Sequence, residues 1–287
     1  MRFHTSDPNF LNDWLTLGPL SRLQGTTESA PRKTRLLGAP LALWRDGAGQ
    51  VHASTDGQAL LTQVQYGYVW VCPSGAPAKP LFAFPEFSEA GRRIVDCDGF
   101  GVATSGLRMV ENFLDMGHFP YVHTGYLGEV PHTEVNPYKV QIDQEADEIW
   151  ATDCSFYQPR TSGSATAGLQ ARYRYRVMQP MSAMLYKSCF ARPDALDAIA
   201  LFVQPVEEDR IIAHVLLAYF DEVTSDTDMI AFQHTIFGQD KPILENQRPK
   251  RMPLQPGTET PARCDATSVA YRRWLKARNV SYGAIPA

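Results

Sequence analysis

The chain has 287 residues, 44% of them hydrophobic and 20% charged, and its formal net charge is -4. That length suffices for one large domain or two modest ones around a real core, and the charge balance offers no basic surface for nucleic acid. No apolar run approaches the roughly 20 residues of a membrane span, and the opening "MRFHTSDPNFLNDW" has no apolar signal-peptide core, so a cytoplasmic protein is expected.

In chain order, "TRLLGAPLALWRD", "QVHAST" and "QYGYVWVC" read as β-runs, with "DGAGQ" as a hairpin turn. The Pro/Gly/Ser-rich "CPSGAPAKP" at 72–80 is the expected boundary between a unit of residues 1–80 and a second of 81–287. A helix around residues 111–118 opens the second unit, and strands follow near 135–142 and 149–157. Residues 159–168, "PRTSGSATAG", read as a flexible insert. "LQARYRYRV" alternates, setting Ala171, Tyr173, Tyr175 and Val177 on one face and Arg172, Arg174 and Arg176 on a wet face. "IALFVQPVEEDRIIAHVLLAYF" is a hairpin turning at 207–210. Residues 229–247 read as a helix, in one piece or in two around Pro242, and "DATSVAYRRWLKARN" as a last helix with Asp265 as its N-cap. The expected class is α+β.

Cys72, Cys97, Cys154, Cys189 and Cys264 are too far apart in sequence for a C-x-x-C site and are expected as buried free thiols. His132, His214 and His234 are isolated. His214, inside an apolar strand, reads as a satisfied core histidine or as a group facing a pocket. His4 and His52 read as superficial.

The dense stretch is "ENFLDMGHFPYVH", residues 111–123. On a helix, Asn112, Asp115 and His118 form one stripe. Pro120 disturbs the helix just after His118, and a bend there would bring His123 to the same side. Two imidazoles on one side of a scaffold invite a metal, and an acid one turn before a His is placed to hold its far N–H. Two histidines and a carboxylate make the facial triad of non-haem Fe(II) oxygenases. The carboxylate candidates are Asp221, Asp226, Asp228, Asp240 and Glu245, with Asp240 favoured by its apolar neighbours in "IFGQDKPILENQ".

This motif resembles the N-x-x-D-x-x-H-x-x-x-x-H iron motif of Rieske non-haem iron oxygenases, and "FGQDKPILENQ" resembles the family's later D-x-x-x-x-E-x-Q segment. The resemblance extends over almost the whole chain, to "NDWLTLGPLSRL" and "YGYVWVCPSG". It implies an N-terminal remnant of a Rieske-like β domain, then a helix-grip (START-like) antiparallel sheet with a long C-terminal helix. His118, His123 and Asp240 are the implied metal ligands of a mononuclear Fe(II). Asp115 is the implied bridge to a partner's cluster, with Asn112 beside the iron. The C-x-H and C-x-x-H segments for a [2Fe–2S] cluster are missing between Ser54 and Gln65, and only Cys72 and His52 lie nearby.

The later stretches look most like the demethylating branch, which includes vanillate O-demethylase and the methylxanthine N-demethylases. The implied activity is therefore an O2-dependent monooxygenase. It converts a methylxanthine, 7-methylxanthine by expectation, to xanthine and formaldehyde. With no G-x-G-x-x-G or flavin motif, electrons are expected from NADH through a separate reductase carrying the [2Fe–2S] Rieske domain. The expected assembly is a homotrimer or hetero-oligomer, without nucleic acid or membrane. O-demethylation or hydroxylation of another small aromatic molecule, and a non-catalytic docking subunit, stand as alternatives.

Overall fold

The computed structural model describes residues 2–160, 168–189 and 191–286; residues 161–167 of the expected flexible insert lie outside the described residues. A one-turn helix α1 (Pro8–Leu11) precedes seven short strands: β1 (Leu15–Pro19), β2 (Arg32–Leu36), β3 (Ala39–Arg45), β4 (Val51–Thr55), β5 (Gln58–Ala59), β6 (Leu61–Gln65) and β7 (Tyr68–Cys72). They form two small antiparallel sheets, β1-β7-β6 and β2-β3-β4-β5. "QYGYVWVC" is thus not one run. It turns at Tyr66 and Gly67, both at positive φ (56° and 72°), the backbone a tight hairpin needs.

The chain then enters β8 (Arg93–Val102), α2 (Gly106–Leu114) and α3 (Phe119–Val122). The strands β9 (Lys139–Asp143), β10 (Glu148–Gln158), β11 (Leu169–Gln179), β12 (Ser182–Ser188), β13 (Leu196–Glu207) and β14 (Arg210–Tyr219) follow. Helices α4 (Asp226–Asn246) and α5 (Ala266–Ala277) complete the frame. One seven-stranded sheet runs β8-β14-β13-β12-β11-β10-β9, antiparallel throughout. This is the expected α+β arrangement of an N-terminal β unit followed by a sheet gripped by helices. The longest helix is α4, with 21 residues, against 12 for the C-terminal α5.

Two of the large sheet's strands carry no readable period. In β8, "RIVDCDGFGV", Asp96 and Asp98 interrupt the apolar pattern, and Asp98 sits at positive φ. In β12 six of seven residues are buried. Both faces are covered there: α2 contacts β12 and β13 from one side, and the N-terminal unit covers the other with Trp14, Tyr68 and Trp70 packed among Met184, Phe202 and Leu216. The edge-on ring contacts Trp70–Phe202 at 5.0 Å and Tyr68–Phe202 at 5.3 Å belong to this seam. The seam also has backbone bonds, Leu37 N–H to Pro205 O and Gly38 N–H to Val206 O.

Helix α4 is unbroken through Pro242. Asp265 occupies the N-cap position of α5 but does not cap it; its Oδ2 accepts instead from Ala262 N–H, 2.7 Å away. Four cysteines are buried free thiols, and Cys264 is only half-buried. Among the described residues no helix is long and apolar enough to cross a membrane.

His214 takes neither expected role. It lies on the outer face of β14, opposite Phe202, against the N-terminal unit. It is 1% exposed, and neither ring nitrogen has a hydrogen-bond partner among the described residues. Two glycines make its space: a Cβ on Gly99 would stand 2.8 Å from the ring, and one on Gly18 3.1 Å. Burial, with Arg22 and Arg32 nearby, pushes the imidazole down to about 3. The folded state therefore keeps His214 neutral while an unfolded chain protonates it below about 6.5. Stability is lost as pH falls from that value toward 3, at up to about 1.4 kcal/mol per pH unit. His214→Leu should flatten this slope. Unfolding free energies from urea titrations at pH 7 and pH 5 are expected to differ less in the variant, by up to about 2 kcal/mol; equal slopes would show that His214 does not stay neutral.

Candidate metal centre

Helix α2 starts on Ser105, whose hydroxyl accepts from Arg108 N–H, and ends at Leu114. Asp115 is its C-cap in extended backbone, and its Oδ1 accepts from Gly117 N–H at 2.6 Å. A Cβ on Gly117 would stand 2.9 Å from Cys264 Sγ and 3.1 Å from that same carboxylate oxygen, so the turn is shaped around a residue without one. His118 then opens α3, and Pro120 falls in its first turn, where a missing N–H costs nothing. The helix thus breaks before His118 and not after it. Asn112, Asp115 and His118 are spread over a helix, its cap and the next helix, not along one helical stripe, because the Asp115 carboxylate captures the backbone first.

This double turn brings His118 Nε2 to 3.1 Å from His123 Nε2. Asp240 Oδ1, from α4, lies 3.3 Å from the first and 3.1 Å from the second. Three donors about 2.1 Å from one ion at right angles stand roughly 3 Å apart, so the triangle has the size of one face of a metal's coordination shell. His118, His123 and Asp240 are grouped accordingly as potential metal ligands.

The outer hydrogen bonds decide what the triangle can hold. His118 Nδ1 lies 3.0 Å from Asp115 Oδ2, and His123 Nδ1 lies 2.9 Å from Gln239 Oε1. Both partners are acceptors, so each Nδ1 carries the proton and each Nε2 presents a lone pair inward. The two Nε2 atoms and the Asp240 oxygen are then the groups a bound cation would use. Asn112 Nδ2 donates to the same Asp240 oxygen at 3.3 Å. With no cation bound, a proton takes that place. Burial alone would lower the His118 pKa, but Asp115 and Asp240 outweigh it and raise it to about 9. Burial would raise Asp240, but the two histidines hold it at about 2. The carboxylates thus set up a potential that favours positive charge at the triangle.

The rival carboxylates are engaged elsewhere. Asp221 accepts from Val223 and Thr224 N–H, Asp226 pairs with Arg93, Asp228 accepts from Ser225, and Glu245 accepts from Ala103 N–H. His234 bonds Cys97 O, and His132 packs on Tyr157. Gln239 could not be found in the sequence by itself; its signal was adjacency to Asp240 on a helix that already reaches His123.

The triangle sits between two cavities. The inner one, about 100 Å³, is lined by Phe113, Phe119, Tyr173, Leu185, Ile199 and Phe237 among others. It is smaller than the roughly 300–1,000 Å³ of drug-sized ligand sites. The outer groove, about 720 Å³, is lined only from residues 108–122 and 243–276 and has Asp115 and His118 at its edge. No lining residue comes from the 54–65 region. On its wall Arg108, fully buried, is held by Glu111 and Glu259, and Arg272 bridges the same two carboxylates. Arg108 and Arg272 hold Glu259 at about 2. This four-charge cluster ties α2 to α5 and so fixes the helix that leads into the triangle.

Residues 102–279 match the family model of the vanillate O-demethylase oxygenase C-terminal domain. The chain is 44% identical over 283 residues to a probable methylxanthine N7-demethylase, NdmC, of Pseudomonas sp. (strain TJI-51), covering 98% of each. It is 24% identical to the methylxanthine N1-demethylase NdmA of Pseudomonas putida, over 74% of this chain and 58% of the relative. Among solved structures, NdmA of Pseudomonas putida CBB5 with caffeine superposes with a TM-score of 0.78 at 17% identity, covering 95% of this chain and 92% of the other. Dicamba monooxygenase bound to 3,6-dichlorosalicylic acid gives 0.71 at 15% identity, over 94% and 97%. At those identities the superpositions speak for the fold alone. The domain match and the near full-length relative establish that the chain belongs to the Rieske-type non-haem iron oxygenases with a vanillate O-demethylase oxygenase C-terminal domain.

Proposed function

We propose that the chain is the oxygenase subunit of an oxidative methylxanthine N7-demethylase, with 7-methylxanthine as substrate and one Fe(II) on His118, His123 and Asp240. The observation that carries this is the convergence of His118 Nε2, His123 Nε2 and Asp240 Oδ1 beside a small, ring-lined cavity, in a chain 44% identical to a probable N7-demethylase. Bound iron supplies activation of O2, which the protein's own groups cannot do. The protein's share is orientation. Asp115 and Gln239 hold the two Nδ1 protons outward, which keeps both Nε2 lone pairs aimed inward. Asn112 donates to Asp240 Oδ1 and holds that carboxylate toward the histidines. Phe113, Phe119 and Phe237 wall the inner cavity against water.

The reaction balances as R2N–CH3 + O2 + 2 e⁻ + 2 H⁺ → R2N–CH2OH + H2O. The carbinolamine C–N bond then breaks to give R2N–H and formaldehyde. The two electrons come from NADH through a separate reductase carrying a [2Fe–2S] Rieske domain. We assign its docking face to the outer groove, where half-buried Asp115 is hydrogen-bonded to His118 and exposed Arg273 and Lys276 stand on the rim. In this reading residues 1–80 are a cluster-less Rieske-like unit and 81–287 the iron domain, in a cytoplasmic homotrimer or hetero-oligomer. The family model's own name favours one second reading, demethylation of an aryl methyl ether by the same balance. Scoring formaldehyde from methylxanthines against methoxyarenes separates the two. A docking-only subunit would have no use for the converging donors, and metal content tests it.

Three outcomes are expected. The purified chain should hold about one iron, and His118→Ala or Asp240→Ala should lose it; full iron in both variants would refute the ligand assignment. Asp115→Asn should keep the iron, because the triangle is untouched, yet lose most turnover, on the order of tenfold or more; iron loss matching His118→Ala would make Asp115 a ligand. With NADH alone the chain should be inert, and a Rieske-bearing reductase should restore demethylation. Arg273→Glu with Lys276→Glu should weaken that complex at unchanged iron content. Turnover of substrate by the chain and NADH alone would end the proposal.

A further inference from the structure

The inner cavity's polar wall comprises Asn112, Gln158, Tyr173, Tyr175, Lys187 and Gln233. Asn112 is spent on Asp240. Three atoms stand apart: Gln158 Oε1 and the hydroxyls of Tyr173 and Tyr175 are buried with no hydrogen-bond partner among the described residues. Gln158 is 1% exposed, Tyr173 2% and Tyr175 0%. Leaving such groups unpaired is costly, and three at one cavity mark where a ligand completes them.

They share one face of the sheet. Tyr173 pairs with Cys154, and Gln158 with Leu169, in the same register of β10 and β11, so 154, 156 and 158 point with 169, 171 and 173. Phe119 links this wall to the donor triangle, its ring 5.0 Å from that of His118, 5.9 Å from Phe156 and 6.4 Å from Tyr173. The donor triangle and the orphaned polar groups therefore line the same cavity.

Resting on the proposed N7-demethylation, we infer that Gln158 and Tyr173 select the substrate by its six-membered ring. Gln158 Oε1 accepts a hydrogen bond from an unsubstituted ring N–H, and the Tyr173 hydroxyl donates to a ring carbonyl. With N7 turned toward the metal, the far edge of a xanthine is an imide-type run of C=O and N–H groups. An acceptor among phenolic donors complements that edge. A ring nitrogen that carries a methyl offers Gln158 no proton and crowds it, leaving a buried acceptor unpaired, a type of mismatch by which sites reject analogues strongly.

The test is anaerobic binding calorimetry on the iron-loaded chain with 7-methylxanthine, 1,7-dimethylxanthine and 3,7-dimethylxanthine. The wild type should prefer 7-methylxanthine over at least one dimethyl compound by roughly tenfold or more. Gln158→Leu should weaken 7-methylxanthine to the level of that compound, which itself changes little. Tyr173→Phe, which removes only a hydroxyl, should weaken all three by similar factors, since all keep both carbonyls. Iron content and melting temperature should match the wild type in both variants. If Gln158→Leu does not fold, Gln158→Met takes its place with the same expected loss of preference. A wild type that binds all three equally, or a variant that keeps the wild-type preference, overturns the inference while N7-demethylation stands. A wild type that binds no methylxanthine overturns both.

Discussion

His118 Nε2, His123 Nε2 and Asp240 Oδ1 meet within 3.3 Å of one another. Gathering such polar atoms away from water is costly unless a proton or a cation joins them. The surroundings hold them together. Asp115 and Gln239 accept the outer protons, Gly117 lets the chain turn tightly enough, and the Arg108–Glu111–Arg272–Glu259 cluster pins α2 against α5. In the proposed reading the gathered atoms are the ligands of one Fe(II), and these contacts keep them in place for it.

That centre also explains the two cavities. A reaction that consumes O2 and electrons needs a dry side for the substrate and an open side for the electron donor. Here one histidine, His118, borders both: its Nε2 faces the triangle and the inner cavity, and its Nδ1 faces Asp115 and the groove. The path between the two sides is therefore one imidazole and one hydrogen bond long. In the proposed reading substrate and electron donor therefore use different surfaces.

The motif was legible because its chemistry depends on residue type. An amide, an acid and two imidazoles at fixed spacing in an apolar run are rare, and Asp240 stood out among five acids by its apolar neighbours. The backbone that joins them was less legible. Helical periodicity ran straight through Asp115, and nothing in the letters said that its carboxylate would hold a turn after α2 by accepting from Gly117 N–H. Strand β12 was invisible for the opposite reason: with both faces buried it has no alternation to read. His214 was misjudged because burial without a partner is a property of what packs over it, here Gly18 and Gly99 from two different elements. The polar wall of the cavity could not be read at all, since Gln158 and Tyr173 come onto one face only after β10 and β11 pair.

The N-terminal unit has a use that requires no cluster. The large sheet's outer face is apolar along β12, β13 and β14, and Trp14, Tyr68 and Trp70 of that unit lie against it, with Phe82 and Phe84 from just beyond its end. Burying each such ring contributes several kcal/mol at about 25 cal/mol per Å², against a net stability of roughly 5–15 kcal/mol for a whole domain. Stripping the unit away would expose Met184, Phe202 and Leu216, and would release His214 from its dry slot. The inner face of the same strands carries Leu185, Leu201 and Val215, which wall the inner cavity. Because the sheet is one layer thick, the packing that steadies its outer face also fixes the positions of the cavity residues behind it. The N-terminal β unit is thus part of the support of the candidate site, and its strands are held there by the packing of their aromatic residues.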